Sequence, residues 1–356
     1  MKNKLLRLIK MAPGEASEPL FNELALLLYK HQYRNNAPYR QFSDSQDKNP
    51  ENVKVWEAIP AIPVMAFKYQ ALSCRPIHEA QRLFYSSGTT QEEKSCHPLF
   101  DTEISREAIL GHFKRHILPD KDRIRFMILT PSPQEAPNTS FSHMMEVVRE
   151  AFGEKESAYY IHQGQLQSER IIREMAVSSE ALCLIGTSFS FVHFIDFCHE
   201  KKWSCSLPPG SRLMDTGGFK GSSREVPQEW IYTMARQCWD IPNENCINEY
   251  GMTEMTSQFY DRIAGESTPR LFRPPPQVRT RLLSPESLKP VPEGEVGLLA
   301  HTDLANLDSV SALLTEDLGR EVDGGFALLG RAGGSGQKGC SITIDELLQR
   351  NITFQE

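Results

Sequence analysis

The sequence predicts an α/β protein built around a mostly parallel sheet with crossover helices. The chain has 356 residues, 40% of them hydrophobic, which is enough to bury a large core. Between about residues 124 and 251, apolar runs of strand length alternate with segments whose apolar residues recur at helical spacing. From about residue 271 a proline-rich stretch leads into alternating, strand-like sequence, which predicts a smaller β-rich subdomain.

The elements can be predicted in chain order. Apolar residues at helical spacing predict a helix over residues 20–33, and RLF at residues 82–84 is strand-like. RIRFMILTPSP predicts a strand over residues 124–130 that ends at prolines. The following SHMMEVVREAFG predicts a helix capped by Ser142 and ended by Gly153, which completes one βα unit.

Two further units of the same kind follow. ALCLIGTS (residues 181–188) is a continuous apolar run of strand length, and SFVHFIDFCHEKK has the spacing of a helix that lies on a sheet. SRLMDTGG, QEWIYTMARQCW and CINEYG then predict a strand, a helix and another strand. Crossover connections of this kind make the strands parallel, so a site is expected at the loops that follow the strand ends.

The end of the chain has a different texture. EVGLLAHTDL alternates like a β-strand, whereas GGFALLGRAGGSGQKG, with seven glycines in sixteen residues, predicts a flexible loop or hinge. We therefore divide the chain into an α/β core (residues 1–270), a smaller β-rich subdomain (271–330) and a short hinge and tail (331–356).

Composition excludes several functional classes. The net charge of −7 comes from interspersed acids and bases without a basic block, so no nucleic-acid partner is expected. Arg7, Lys10 and Pro13 interrupt the N-terminal apolar run, and no stretch has the roughly 20 apolar residues of a membrane span, so we expect a cytoplasmic protein without a membrane anchor. The eight cysteines form no C-x-x-C pair, which predicts reduced thiols that mostly fill the core.

The first motif whose residue types suit binding or catalysis is YSSGTTQEEKS at residues 85–95. Hydroxyl side chains, a glycine that permits close backbone approach and a following lysine suit a loop that binds a polyphosphate. The residues concerned are Ser86, Ser87, Gly88, Thr89, Thr90 and Lys94. The loop lacks the G-K-[ST] ending of a Walker motif, and a polar strand-to-helix turn remains the alternative interpretation.

Two further motifs give the first one a context. NEYGMTEM (residues 248–255) follows it by about 160 residues, and LMDTGGFKG (213–221) lies between them. Together they resemble the phosphate loop, the Y-G-x-T-E motif and the glycine-rich adenine segment of the adenylate-forming superfamily. Within it, the T-G-G-F-K-G string is similar to acyl-protein synthetases of the LuxE type. The resemblance covers about residues 56–348, although Gln91, Glu92 and Glu93 replace the usual glycine and proline before the lysine.

The resemblance implies the superfamily's fold, the use of ATP and Mg²⁺, and a role for each matching residue. Tyr250 would stack on adenine, Thr253 would bond the α-phosphate and Glu254 would hold the Mg²⁺ ion, and Gly251 is a further implied nucleotide contact. Lys94 would contact a phosphate group and offset its charge. The other implied nucleotide contacts are the hydroxyl loop Ser86, Ser87, Gly88, Thr89 and Thr90, the adenine segment Gly217, Gly218 and Phe219, the ribose acceptor Asp317, and Arg331. A capping role for Thr253 or Asp317 is the alternative.

The tail departs from an ordinary acyl-CoA ligase. Only 25 residues follow Arg331, whereas the ligases continue into a lid domain of about a hundred residues that carries a catalytic lysine. Cys340, in a G-C-S setting, resembles the acyl-accepting cysteine of the acyl-protein synthetases, and Lys338 would favour its thiolate. Alternatively, Cys340 is a small residue that opens the helix SITIDELLQR.

The resemblance therefore implies activation of a carboxylic acid, in particular a long-chain fatty acid, as an acyl-adenylate and then transfer of the acyl group to Cys340. An acyl-reductase or acyl-carrier protein is the implied partner. Two alternatives stay open: a ligase that uses coenzyme A or another external thiol, and a nucleotide-binding scaffold that has lost catalysis. The histidines, including His97 and His143, show no metal or hydrolase spacing.

Overall fold

The computed structural model of the protein describes residues 1–86, 94–217 and 226–332. Its α-helices, named α1 to α9 in chain order, are Lys2–Ile9, Glu18–Asn35, Ala37–Ser45, Ala66–Tyr69, Thr102–Ile117, Ser140–Phe152, Ser168–Ala176, Ser188–Glu200 and Gln228–Trp239. Short 3-10 helices occur at Trp56–Ala58, Ile77–Glu79 and Asn243–Asn245.

The strands, named β1 to β14 in chain order, are Ile62–Pro63, Arg82–Tyr85, Cys96–Leu99, Arg125–Pro131, Ala158–His162, Gln165–Leu166, Leu182–Thr187, Arg212–Thr216, Cys246–Tyr250, Phe259–Tyr260, Val278–Leu283, Val296–Asp303, Ala312–Val322 and Gly325–Arg331. The described chain gathers into two compact units. The central unit comprises Ile109–Gly251 and Gln258–Arg270, and the terminal unit comprises Met1–Ala108, Met252–Ser257 and the residues from Leu271 on. The predicted division at residues 270 and 330 stays a prediction.

The central unit is built on a mostly parallel sheet. Among the described residues its strand order is β10-β9-β8-β7-β4-β5-β6, with β5, β4, β7, β8 and β9 parallel and the short β6 and β10 antiparallel at the two edges. Helices α6, α8 and α9 follow β4, β7 and β8, as crossover connections require. The predicted α/β class and the predicted strands and helices of this region are confirmed.

Strand β7 shows why this sheet is buried on both faces. Leu182 and Leu184 pack into the apolar cluster that contains α8 and α9, whereas Cys183 and Ile185, which point the other way, pack into the cluster that contains α6. A continuous apolar run is the sequence signature of such a strand. The sheet is therefore covered by helices on both sides, and its strand ends remain the places where polar residues can gather.

The terminal unit contains a mostly antiparallel sheet. Its described strands are ordered β1-β13-β12-β11, with β14 also paired to β13, and only β1 runs parallel to its neighbour among these pairings. Strands β2 and β3 form a separate antiparallel hairpin. The predicted helix over residues 20–33 is confirmed as α2, whose Gln32 amide donates to the Asn306 carbonyl at 2.7 Å and accepts from the Ser311 amide at 3.0 Å.

Two local predictions are wrong. Ser142 does not cap α6, because the helix begins at Ser140 and the Ser142 hydroxyl donates instead to the Pro131 carbonyl at 3.1 Å. Residues 325–331 are not a loop, since they form β14 in register with β13. The many glycines predicted a loop, although the apolar run FALL at residues 326–329 is strand-like. Gly330 adopts φ +116°, a positive backbone angle that few other residues adopt. The rest of that predicted loop lies outside the described residues.

Over the described ranges, the helices include none with both the length and the apolar character needed to cross a membrane. The cysteines in these ranges are all free thiols, as predicted, and Cys183, Cys198, Cys238 and Cys246 are buried. Burial raises the pKa of Cys183 and Cys198 to about 12, so these thiols stay protonated near neutral pH.

Candidate active site

The carboxyl ends of the parallel strands lie in a row along the central sheet, and we call this row its C-terminal edge. At this edge β7 passes into α8 at Thr187, whose hydroxyl accepts from the Ser190 amide at 3.1 Å and caps the helix. Strand β8 ends before Gly217 and β9 ends at Tyr250, and these two strands are neighbours in parallel register. The predicted adenine-contacting residues Gly217 and Tyr250 thus lie at the carboxyl ends of adjacent strands, in the position where α/β sheets bind ligands.

Asp215 is the centre of a buried polar cluster at this edge. Its carboxylate accepts from the Tyr232 hydroxyl at 2.7 Å and from the Ser188 hydroxyl at 2.8 Å. The Ser188 hydroxyl also lies 3.0 Å from the Gly217 carbonyl, and Gly217 has φ +72°. Burial raises the pKa of Asp215, while its hydrogen bonds oppose that rise. The cluster therefore fixes the first residue of the predicted adenine segment; Gly218 and Phe219 lie outside the described residues.

The NEYGMTEM motif begins at the end of β9 with a buried acid. Glu249 accepts a short hydrogen bond from the Thr216 hydroxyl, and burial raises the pKa of Glu249 to about 7. A side chain at Gly251 would place its Cβ 2.6 Å from the Glu249 carboxylate. Glycine at this position therefore avoids a steric clash with that carboxylate. The ring of Tyr250 packs on Phe259, with 5.8 Å between centroids. Its stacking on adenine stays a prediction.

In the terminal unit, the predicted phosphate loop joins two strands of a hairpin. The Ser86 amide donates to the Ser95 carbonyl at 3.1 Å, and the Ser95 amide donates to the Ser86 hydroxyl oxygen at 3.1 Å, so Ser86 helps to close the base of the loop. A strand-to-helix turn is therefore the wrong alternative, because β3 follows. Lys94 is exposed, and Ser87, Gly88, Thr89 and Thr90 lie outside the described residues.

Thr253 and Glu254 belong to a segment of the terminal unit that two buried side chains hold. The Asp303 carboxylate accepts from the amides of Thr256 at 3.1 Å and Ser257 at 2.7 Å. Asn306 accepts from the Thr256 amide at 2.9 Å and donates to the Glu254 carbonyl at 2.9 Å. Glu254 itself is only 8% exposed. Asp303 and Asn306 thus fix the backbone that presents the predicted Mg²⁺ ligand.

Asp303, Asn306, Asp215 and His97 are not among the site residues that the sequence predicts. Asp303 is the last residue of β12, and Asn306 lies in the loop that follows this strand. Polar residues at the end of a predicted strand were therefore the available signal. The spacing of His97 predicts no role for it, yet its Nδ1 lies 2.7 Å from the Thr253 carbonyl. No spacing rule predicts a contact between residues so far apart in the chain.

The predicted ribose residues are also brought together. Asp317 on β13 pairs in register with Arg331 on β14, and the Arg331 Nε donates to the Asp317 carboxylate at 3.2 Å. The Arg331 side chain is 68% exposed and the Asp317 side chain 13% exposed. A carboxylate oriented by a cationic neighbour is suited to accept hydrogen bonds from a diol. Cys340 lies outside the described residues.

The described residues are compatible with a Mg²⁺ ion whose ligands come mainly from the substrate phosphates. Across the described ranges, no group of three histidine, cysteine or acidic residues could form a metal cage. Mg²⁺ commonly takes one or two carboxylates and completes its shell with substrate phosphates and water. Glu254, on its fixed backbone, offers one such carboxylate.

Comparison with known proteins gives these features a context. The family model described as "Acyl-protein synthetase, LuxE" matches residues 10–349. The long-chain-fatty-acid–luciferin-component ligase of Aliivibrio fischeri is 24% identical over 359 residues, which cover 95% of this chain and 91% of the relative. The ligase of the same name from Vibrio harveyi is 23% identical over 348 residues, covering 93% and 89%.

A solved structure has the same fold. The crystal structure of 2-hydroxyisobutyryl-CoA ligase in the postadenylation state, in complex with R3-HIB-AMP, superposes with a TM-score of 0.69 at 15% sequence identity. The match covers 91% of this chain and 69% of that chain. The predicted fold of the adenylate-forming enzymes is confirmed.

Proposed function

The chain belongs to the LuxE family of acyl-protein synthetases, and from this premise we propose that it activates a long-chain fatty acid with ATP and transfers the acyl group to its own Cys340. The observation that carries the proposal is the extent of the family match, since residues 10–349 include every predicted site residue from Ser86 to Cys340. The names of the two bacterial relatives supply the class of acid.

The first step is a nucleotidyl transfer. A carboxylate oxygen of the acid attacks the α-phosphorus of ATP, the bond to the β,γ-pyrophosphate breaks, and the products are acyl-adenylate and pyrophosphate. Such reactions depend on positioning and on neutralising charge as it develops. Mg²⁺, when bound, would supply that neutralisation between the phosphates.

The described residues prepare the chain for this step in two ways. In the central unit, Ser188 and Asp215 fix Gly217 at the edge of the sheet, where the adenine segment begins. In the terminal unit, Asp303 and Asn306 hold the backbone of residues 254–257, so the Glu254 carboxylate starts from a fixed main chain. Rigid support of this kind is what a reacting geometry requires.

The second step is acyl transfer to a thiol. The Cys340 thiolate attacks the carbonyl carbon of the acyl-adenylate, a thioester forms and AMP leaves. The thioester would then pass the acyl group to a partner, for which an acyl-reductase or acyl-carrier protein is the expected class. Buried thiols such as Cys183 are unsuited to this role, because burial raises the pKa of Cys183 to about 12.

Acid-dependent release of pyrophosphate tests the activation step. The protein is incubated with MgATP and a panel of fatty acids of different chain length, with short-chain and aryl acids as comparison. We expect release with long-chain acids and little without acid. Release by the Cys340→Ala variant should stop at about one equivalent, because the acyl-adenylate then has no thiol acceptor, and added coenzyme A should not restore turnover. Continued turnover of that variant with coenzyme A would favour the acyl-CoA ligase, and absence of release with every acid would favour the scaffold.

A further inference from the structure

A hairpin in the terminal unit carries the predicted phosphate loop. Residues 87–94 connect β2 to β3, and the mutual hydrogen bonds of Ser86 and Ser95 close the base of this connection. Strand β3 begins at Cys96, directly after that closure, and pairs with β2 through His97 opposite Phe84. The position of β3 therefore sets where the base of the loop stands.

His97 links this hairpin to the Mg²⁺-binding motif. Its Nδ1 lies 2.7 Å from the carbonyl oxygen of Thr253, the residue before Glu254. His97 is 3% exposed, and burial lowers its pKa to about 4, so the ring is neutral near pH 7. A carbonyl can only accept, hence the Nδ1 of the neutral ring carries the proton and donates it.

Two other side chains also hold the same segment. Asp303 and Asn306 bind the amides of Thr256 and Ser257 and the carbonyl of Glu254. The segment is thus held both from β12 and its following loop and from β3. Through His97, the described part of the phosphate-loop hairpin contributes to this support.

We propose that His97 is a positioning residue that sets the distance between the described base of the predicted phosphate loop, at Ser86 and Lys94, and the Thr253–Glu254 pair; this rests on the proposed activation of an acid by MgATP. In the proposed function, Lys94 at the base of the loop and the Glu254 carboxylate act on the same triphosphate, and a displacement of about 1 Å in a reacting geometry costs on the order of 100-fold in rate. His97 acts through the Thr253 backbone and need not touch the substrate.

Kinetics of pyrophosphate release test this role. His97→Leu removes the donor, whereas His97→Asn places an amide nitrogen close to the former Nδ1 position. We expect His97→Leu to lower kcat about 10- to 100-fold and to raise the Mg²⁺ concentration for half-maximal rate, and His97→Asn to recover most of both. The matched control is His301→Leu, because His301 is equally buried in the same unit but bonds the Thr280 hydroxyl, at 2.9 Å.

The outcomes separate the possible failures. Equal kcat per folded molecule for wild type, His97→Leu and His301→Leu would overturn the positioning role, even if both variants lose stability. Absence of acid-dependent pyrophosphate release by wild type would instead overturn the proposed function. If His97→Leu does not fold, nitrogen-15 NMR of wild type replaces it: we expect a neutral, Nδ1-protonated His97 whose resonances shift on addition of MgATP. Resonances unmoved by MgATP would contradict the inference.

Discussion

Glu249 is a carboxyl group without a cationic partner among its described contacts. Burial raises its pKa to about 7, the nearby Asp215 contributes in the same direction, and the Thr216 hydroxyl opposes the rise. Between the ordinary pKa of 4.5 and about 7, folded protein therefore binds a proton that unfolded protein has released. The free energy of unfolding should fall as pH rises through this window and stay low above it.

Glu249→Gln removes this dependence. Relative to wild type, the variant should gain stability on the order of 1 to 3 kcal/mol between pH 4.5 and pH 8, as measured by urea denaturation at each pH. Glu146→Gln is the control of opposite sign, because Arg149 and Tyr159 lower the pKa of Glu146, so its contribution is present at neutral pH and lost as pH falls. A difference between wild type and Glu249→Gln that is flat with pH contradicts this account.

Glu254→Gln tests the predicted metal ligand. The amide keeps the size of the side chain but is a poorer ligand for Mg²⁺, so kcat for pyrophosphate release should fall about 100-fold and the Mg²⁺ requirement should rise. Glu266→Gln, at an exposed position, should leave both unchanged. An unchanged Mg²⁺ dependence in Glu254→Gln would remove this residue from the site.

At the scale of elements, Asp303 determines how the end of β12 supports the segment 254–257. Asp303→Asn is isosteric, but it turns an amide NH2 or a weaker acceptor toward the Thr256 and Ser257 amides. We expect a loss of about 2 kcal/mol in unfolding free energy and a lower kcat. The control Asp308→Asn changes a half-buried acid that contacts His31 at 3.3 Å and should have a smaller effect on both. Equal effects of the two variants would show that the hydrogen bonds of Asp303 to the Thr256 and Ser257 amides have no special role.

The sequence predicted the central sheet well because its signal is local. The apolar runs of β4 and β7 and the helical spacing of α8 and α9 each lie within a short window. The errors arise where a partner distant in sequence decides. Strand β14 exists because β13 pairs with it, and Ser142 bonds Pro131 rather than its own helix end.

The same distinction applies to the site. Motif residues such as Thr253 and Glu254 could be selected from a short string by resemblance. The residues that hold them could not, because His97 meets Thr253 and Asn306 meets Glu254 only in the folded chain. Asp317 and Arg331 are an intermediate case, since both were selected separately and their mutual contact came from the register of β13 and β14.

At the scale of the molecule, the chain gathers into two compact units, and the motif NEYGMTEM contributes to both: Tyr250 and Gly251 belong to the central unit, and Met252–Ser257 to the terminal unit. A single contiguous motif thus supplies residues to units with separate cores. Sequence windows cannot show such a division, because it depends on which distant segments pack together.

Binding of MgATP should stabilise the folded molecule by mass action. At a concentration 100 times the Kd the expected gain is about 2.7 kcal/mol, visible as a rise in Tm. Asp317→Ala should reduce this shift, because the predicted ribose acceptor is lost, whereas Asp323→Ala in the turn after β13 should retain it. A full shift in Asp317→Ala would contradict the ribose role.

The most direct test of the whole account is the intact mass of the protein after incubation with MgATP and long-chain fatty acids. Wild type and the control Cys205→Ala should gain the mass of one acyl group, lose it with hydroxylamine, and show no gain without ATP. Cys340→Ala should gain nothing while its first turnover still releases pyrophosphate. An acyl adduct that persists in Cys340→Ala, or pyrophosphate release by wild type with no adduct, would contradict the proposed transfer to Cys340.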